Sequence, residues 1–155
     1  MFMPIKFQKY TAQSEDFFKI LPEDWVENLG PIWTKERGKA AVFVLLDADR
    51  IVAGGIIFSG LTEDMDGFKE EAIAFVASGY LYIGYLWVIE SRRGENLGSL
   101  WLTALKAYFP ETIFWLTIEE DKLKHFYLKN GFRILKENTH REWLLLMEAP
   151  EDVKV

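Results

Sequence analysis

The run from 79 to 118 constrains the fold more than any other part of the chain. "GYLYIGYLWVI" (79–89) is a long apolar stretch rich in aromatic and β-branched residues, and it reads as a mostly buried strand. "SRRGENLG" (91–98) follows, with glycines at 94 and 98 beside two arginines. In "NLGSLWLTALKAYF", Leu97, Leu100, Trp101, Ala104, Leu105 and Tyr108 recur at helical spacing, and Pro110 stops the helix. "TIFWLTI" (112–118) is a second strand. A strand, a crossover helix and a strand in this order predict two adjacent parallel strands.

The flanking sequence supplies the rest of a mixed sheet. "PIKFQKY" reads as a first strand and "SEDFFKILPEDWVENL" as helix, with Ser14 an N-cap and Pro22 opening a second helix or turn. "KAAVFVLL" and "IVAGGIIFS" are strands joined by "DADR", and 67–76 is a short helix in a long connection. "EDKLKHFYLKNGF" predicts a helix closed by Gly131 at C′. "RILKE" and "EWLLLMEA" flank "NTHR" as a final hairpin. The expectation is an α/β chain with one mixed sheet of about six to seven strands and helices on both faces. It forms a single domain over 1–155, with no repeat or linker.

Composition narrows the function. Half the 155 residues are hydrophobic and 15% aromatic, enough for a substantial core. There is no cysteine, which removes disulfides, thiolate catalysis and cysteine-held zinc; no metal site is expected. The net charge of −6 argues against an electrostatic nucleic-acid binder. No apolar run has the length of a membrane span and "MFMPIKFQKY" lacks a signal-peptide core, so a cytoplasmic protein without a membrane partner is expected. The acids Glu63, Asp64, Asp66, Glu70 and Glu71 in "LTEDMDGFKEE" form either a solvated face or a rim that attracts a cationic substrate.

The loop has two readings by itself: a plain strand-to-helix turn, or a phosphate cradle at a helix N-terminus, where unpaired N–H groups and the dipole favour anions. No Gly-Lys-Ser/Thr follows, so it is not a Walker loop, and the dinucleotide spacing is missing. "LWVIESRRGENLGSL" (86–100) resembles the acetyl-CoA motif of the GNAT superfamily of N-acetyltransferases, in which Arg/Gln-x-x-Gly-x-Gly/Ala opens a helix. Arg93 takes the first place, Asn96 the first glycine and Gly98 the second. "FYLKNGF" (126–132) resembles the family's Tyr-x-x-x-Gly-Phe helix end. Asn96 stands where glycine is usual, Glu90 where proline is frequent after the strand, and Glu120 where many relatives place asparagine.

The resemblance implies acetyl-CoA as cosubstrate and an amine acceptor, small molecule or peptide, acylated by direct attack. It also implies two parallel strands that part at the site. The residues expected to hold acetyl-CoA are Trp87, Val88, Ile89, Arg92, Arg93, Gly94, Glu95, Asn96, Leu97, Gly98, Ser99 and Lys129. A strand N–H near Val88 is the expected oxyanion donor, and Tyr127 the expected donor to the leaving thiolate. The base is open. The strand 79–89 carries no carboxylate, so Glu120 is the candidate, with Glu119 beside it; each is also an ordinary acid at a helix start. His125 lies two residues before Tyr127, on another helix face, and His140 sits in a hairpin turn. Tyr80, Tyr82 and Tyr85 line an acceptor groove or pack in the sheet. A catalytically inactive acyl-CoA-binding protein and a plain interaction domain are the alternatives, and a homodimer is an allowed assembly.

Overall fold

In the computed structural model, which describes residues 4–147, the order is β1 (Lys6–Lys9), α1 (Ser14–Phe18), α2 (Glu23–Glu36), β2 (Ala40–Asp47), β3 (Arg50–Phe58), α3 (Lys69–Ala77), β4 (Leu81–Val88), α4 (Leu97–Tyr108), β5 (Phe114–Ile118), α5 (Lys124–Lys129), β6 (Phe132–Glu137) and β7 (Trp143–Met147). Short 3-10 turns lead into α1, α3, the loop after β4, and α5. The strands make one seven-stranded sheet in the order β1-β2-β3-β4-β5-β7-β6, within the range expected. Only β4 and β5 are parallel, and α4 is their crossover. Residues 148 and 149, expected to close the last strand, lie outside the described residues.

Alternation along the strands builds two apolar layers, because successive side chains point to opposite faces. Phe43, Leu45, Phe114, Leu116 and Leu145 pack with Leu97, Trp101, Leu102 and Leu105 of α4 and Tyr127 of α5. Val42, Val44, Ile56, Phe58, Trp115 and Leu144 pack with Phe17 of α1, Leu29 and Ile32 of α2, and Ala72 of α3. Two consecutive glycines in β3 let rings approach from both sides. A Cβ at Gly54 would lie 2.6 Å from Phe17, and one at Gly55 would lie 2.8 Å from Trp101. Trp101 is fully buried, and its indole N–H donates to the Phe43 carbonyl at 3.0 Å.

Four local expectations are adjusted. Ser14 begins α1 without making a side-chain cap. The second helix runs on through Pro31 to Glu36, because Leu29 and Ile32 share a buried side three residues apart and this packing outweighs the one hydrogen bond that proline removes. The connection expected as helix over 67–76 is a 3-10 turn, Glu63–Phe68, followed by α3. In α4 the buried stripe includes Leu102, while Leu100 and Tyr108 are 41% and 52% exposed. The helix is rotated so that Trp101 faces the sheet squarely, and Tyr108 keeps an edge contact with Phe43 at 4.9 Å.

The site is positioned by two irregularities around β4. On the β5 side, pairing covers only Leu81↔Phe114 and Tyr82↔Trp115. Beyond that β5 stays with β7, through Ile118↔Trp143, while β4 stays with β3, so the two strands part. On the β3 side, Gly54↔Trp87 and Ile56↔Gly84 enclose one residue of β3 but two of β4, a bulge. Tyr85 sits in it with φ +59°.

Candidate active site

The gap between β4 and β5 exposes backbone groups at the end of β4. Ile89 N–H donates to Val52 C=O at 3.0 Å, and Val88 pairs with Ala53. Val88↔Ala53 is therefore a non-hydrogen-bonded antiparallel pair, and the N–H and C=O of Val88 point away from β3, into the gap. Of the three residues expected at the strand end, Val88 is the one that turns both groups into the gap, its N–H unpaired and its C=O accepting from Arg93. The Ile89 N–H is committed to β3, and the Trp87 side chain lies with the α1–α3 layer.

The loop after β4 is built to open a helix. Gly94 has φ +86° and Asn96 φ +64°, the left-handed conformation that asparagine tolerates better than other non-glycine residues. The first helical bond is Leu100 N–H to Asn96 C=O at 3.1 Å. The N–H groups of Leu97, Gly98 and Ser99 thus have no helical partner and converge at the start of α4. Ser99 Oγ accepts from the Asn130 amide at 3.0 Å, which ties this end to the close of α5. A Cβ at Gly98 would lie 2.9 Å from the Phe126 ring, so glycine is demanded here by helix packing. Lys129 is exposed on α5, with its ammonium 5.9 Å from the Phe126 ring centre.

The two arginines are turned differently from what their motif places suggest. Arg92 donates through Nη1 to Asp47 at 2.7 Å and through Nε to Glu95 at 2.9 Å, which staples the loop to the β2–β3 turn and occupies Glu95 as well. Arg93 folds back over the strand end. Its Nε donates to Val88 C=O at 3.1 Å, and its guanidinium carbon lies 4.4 Å above the Trp87 ring.

Tyr127 is buried in the α4 layer, with its ring edge-on to Phe126 at 4.9 Å and to Phe132 at 5.8 Å. Burial alone pushes its phenol well above the usual range, with no hydrogen-bond partner contributing, so it stays protonated at any working pH. Glu120 is on the surface, 3.4 Å from Lys122. Glu119 lines an open hollow of about 510 Å³ with Asp121, His140, Arg141, Glu142 and Trp143. His125 is exposed. Val88, Leu97 at the start of α4 and Tyr127 thus share one apolar cluster, and Glu120 is exposed on the surface beyond the end of β5.

A polar group that joins two residues named from the sequence, Asp64 and Tyr85, with one that was not, Asn28, lies on the opposite face. Tyr85, aimed by its bulge, donates to Asp64 Oδ2 at 2.7 Å, and the Asn28 amide reaches both Asp64 Oδ1 (2.9 Å) and the Tyr85 oxygen (2.7 Å). Burial and the Asp64 bond push the Tyr85 phenol far up. Tyr82 and Thr117 share a hydrogen bond of 2.8 Å between β4 and β5, and burial, then the charge of Asp64, raises Tyr82. Tyr80 packs on Phe75 at 5.4 Å, away from this group. Among the described residues no group of three or more His, Asp or Glu is placed to hold a metal, and no helix is long and apolar enough to cross a membrane.

Comparison with known proteins identifies the family and the fold. Residues 8–132 match the model of the Acetyltransferase (GNAT) family. No curated protein matches. Among solved structures, the PaiA N-acetyltransferase of Thermoplasma acidophilum in complex with coenzyme A superposes with a TM-score of 0.63 at 10% identity, covering 95% of this chain and 100% of that one. An acetyltransferase of Thermus thermophilus gives 0.64 at 15%, covering 93% and 96%. FeeM, an N-acyl amino acid synthase from uncultured soil microbes, gives 0.64 at 16%, covering 96% and 92%. At these identities the solved structures speak for the fold, and the family model speaks for the chain: over most of its length it belongs to the GNAT family of acetyltransferases.

Proposed function

We propose that this chain is an acetyl-CoA-dependent N-acetyltransferase that acylates a primary amine by direct attack. The observation that carries the reading is the parting of β4 and β5 with Val88 N–H turned into the gap, followed in the chain by a loop that opens α4 with free amides. The α4 amides at Leu97, Gly98 and Ser99 would hold the pyrophosphate, with Gly94 and Asn96 shaping the approach and Lys129 adding charge. Val88 would receive the pantetheine amide and the thioester oxygen. Arg92 and Glu95 act indirectly by fixing the loop on Asp47. Arg93 holds the strand end together with Trp87 and Ile89.

In the reaction the amine nitrogen forms a bond to the thioester carbon, the oxygen takes up charge against Val88 N–H, and the C–S bond then breaks. The attacking amine must be neutral. An alkylamine has a pKa near ~10, so about one molecule in a thousand is in that form at pH 7. Its proton leaves to water, with Glu120 at the rim as a relay. The Tyr127 phenol donates a hydrogen bond to the sulfur as charge develops there, and the thiolate takes its proton from solvent as product leaves.

The alternative is a catalytically inactive acyl-CoA binder of the same fold. It is favoured by the lack of a carboxylate on β4 and by the pairing of Glu120 with Lys122. Acetyl-CoA should raise the melting temperature, since a ligand that binds only the folded state adds RT ln(1 + [L]/Kd). CoA release over a panel of amines then separates the enzyme from the binder. No thermal shift at millimolar acetyl-CoA would remove both readings.

A further inference from the structure

We propose that the hydrogen bond between Tyr82 and Thr117 is the inner wall of the gap between β4 and β5 and sets the longest acyl group that the protein accepts. This rests on the acyltransferase reading and names a specificity determinant for it.

The wall stands where the strands stop pairing. Backbone pairing of β4 with β5 ends at Tyr82↔Trp115. Extended by two residues, that register would set Gly84 opposite Thr117, on the same face of the sheet. Burial changes at the same position. In β4, Tyr82 and Ile83 are buried and every residue from Gly84 to Val88 is half-buried. In β5, Thr117 is the one residue that is not buried. The gap thus opens at Gly84 and Thr117 and is closed behind them. On the other face Ile83 and Leu116 are buried in the α4 layer, so the closed end is sealed on both sides.

The phenol is wedged across this position. Tyr82 lies edge-on to Trp115 at 4.7 Å and tilted to Phe58 at 6.3 Å, and its hydroxyl meets Thr117 Oγ1 at 2.8 Å. Gly84 leaves room for it, since a Cβ there would lie 3.3 Å from both the Tyr82 and the Phe58 ring. Burial, then the charge of Asp64, keeps the phenol protonated, so the bond persists at any working pH. The proposed cosubstrate meets this wall with its acyl end. The loop that would take the pyrophosphate follows Val88, the last residue of β4 and the proposed thioester contact. A chain laid from that loop into the gap has its acyl group innermost, facing Gly84 and Thr117. Val88 and Gly84 are four residues apart with a bulge between them, a span on the order of 10 Å, so short acyl groups fit and long ones reach the wall. To pass, a longer chain must break the bond and leave the buried Tyr82 hydroxyl unpaired, which is costly.

The test is calorimetric binding of acetyl-, butyryl-, hexanoyl-, octanoyl- and dodecanoyl-CoA, which needs no acceptor amine. In wild type, affinity should hold up to a limiting chain length and fall by about tenfold or more at the next probe, the discrimination of a pocket that refuses extra methylenes. Tyr82→Phe keeps the ring packing and removes the hydroxyl, and Thr117→Ala opens the other side of the wall. Each should move the limit to a longer probe while the Kd for acetyl-CoA stays within about twofold. Thr117→Ser, which keeps the bond, should keep the wild-type limit; this separates the bond from general damage to the strands. If one variant fails to fold, the other decides. A limit that stays in place in Tyr82→Phe and Thr117→Ala overturns the assignment, as does wild-type protein that binds all five probes equally. Both results leave the acyltransferase reading intact. Wild-type protein that binds none of the probes would remove that reading and the wall with it.

Discussion

Gly98 and Phe126 are in such close contact that a Cβ on the glycine would lie 2.9 Å from the ring. The contact brings the start of α4, with its free amides, against α5, which carries Tyr127. One glycine thereby sets how closely the start of α4, the proposed anion site, packs against the helix of the proposed thiolate donor.

Gly98→Ala should therefore act on stability as well as on ligand. Forcing the Phe126 ring aside costs about 1–3 kcal/mol, partly offset by the better helix propensity of alanine, at most about 1 kcal/mol. Denaturant titration should show a loss that Phe126→Leu in the same chain largely restores. A Gly98→Ala protein as stable as wild type would mean that the ring moves freely and the packing argument fails.

Tyr127→Phe should lower kcat by roughly ten- to a thousandfold, the range for loss of a general acid. Since no hydrogen bond supports the phenol and the ring contacts remain, acetyl-CoA affinity and melting temperature should barely change. The three are measured on one preparation. Full turnover in the Phe variant would leave the departing thiolate to water alone.

Arg93→Ala should weaken acetyl-CoA by on the order of tenfold, the worth of a charge-assisted hydrogen bond, by loosening the strand end at Val88. The salt dependence of binding should stay as in wild type, because the guanidinium is committed to Val88 and Trp87. A shallower salt dependence in the variant would put Arg93 on a phosphate, as its motif position implies.

Lys136 holds the Glu71 carboxyl below its usual range through a bond of 2.7 Å that ties α3 to β6, and Glu71 in turn raises Lys136. The depressed carboxyl contributes stability that is complete above its unfolded pKa of about 4.3 and is lost as pH falls through the lower folded value. Lys136 contributes below its unfolded pKa of about 10.4, and that is lost as pH rises past it. Lys136→Met should melt below wild type at pH 7, with the gap closing as pH drops under about 4. A gap that persists at pH 3 would mean that Lys136 stabilises through its aliphatic stem.

Local signals carried much of this protein. Apolar periodicity, Pro110 after α4 and Gly131 after α5 act within a few residues, so the strand–helix–strand crossover and the helix ends were legible. So was the tolerance for asparagine at 96, where the backbone is left-handed. Tertiary packing decided the rest. Pro31 lies inside a helix because Leu29 and Ile32 are buried together, and α4 turns to seat Trp101 over Gly55. Which arginine remains near the site depends on Asp47, 45 residues from Arg92. The meeting of Asn28, Asp64 and Tyr85 spans 57 residues and depends on a bulge that no short motif announces. Pattern and turn chemistry specify which segments become strands and helices. Where those strands part, and which charges end up without partners, is set by contacts between distant residues, and these exist only once the sheet has closed around both cores.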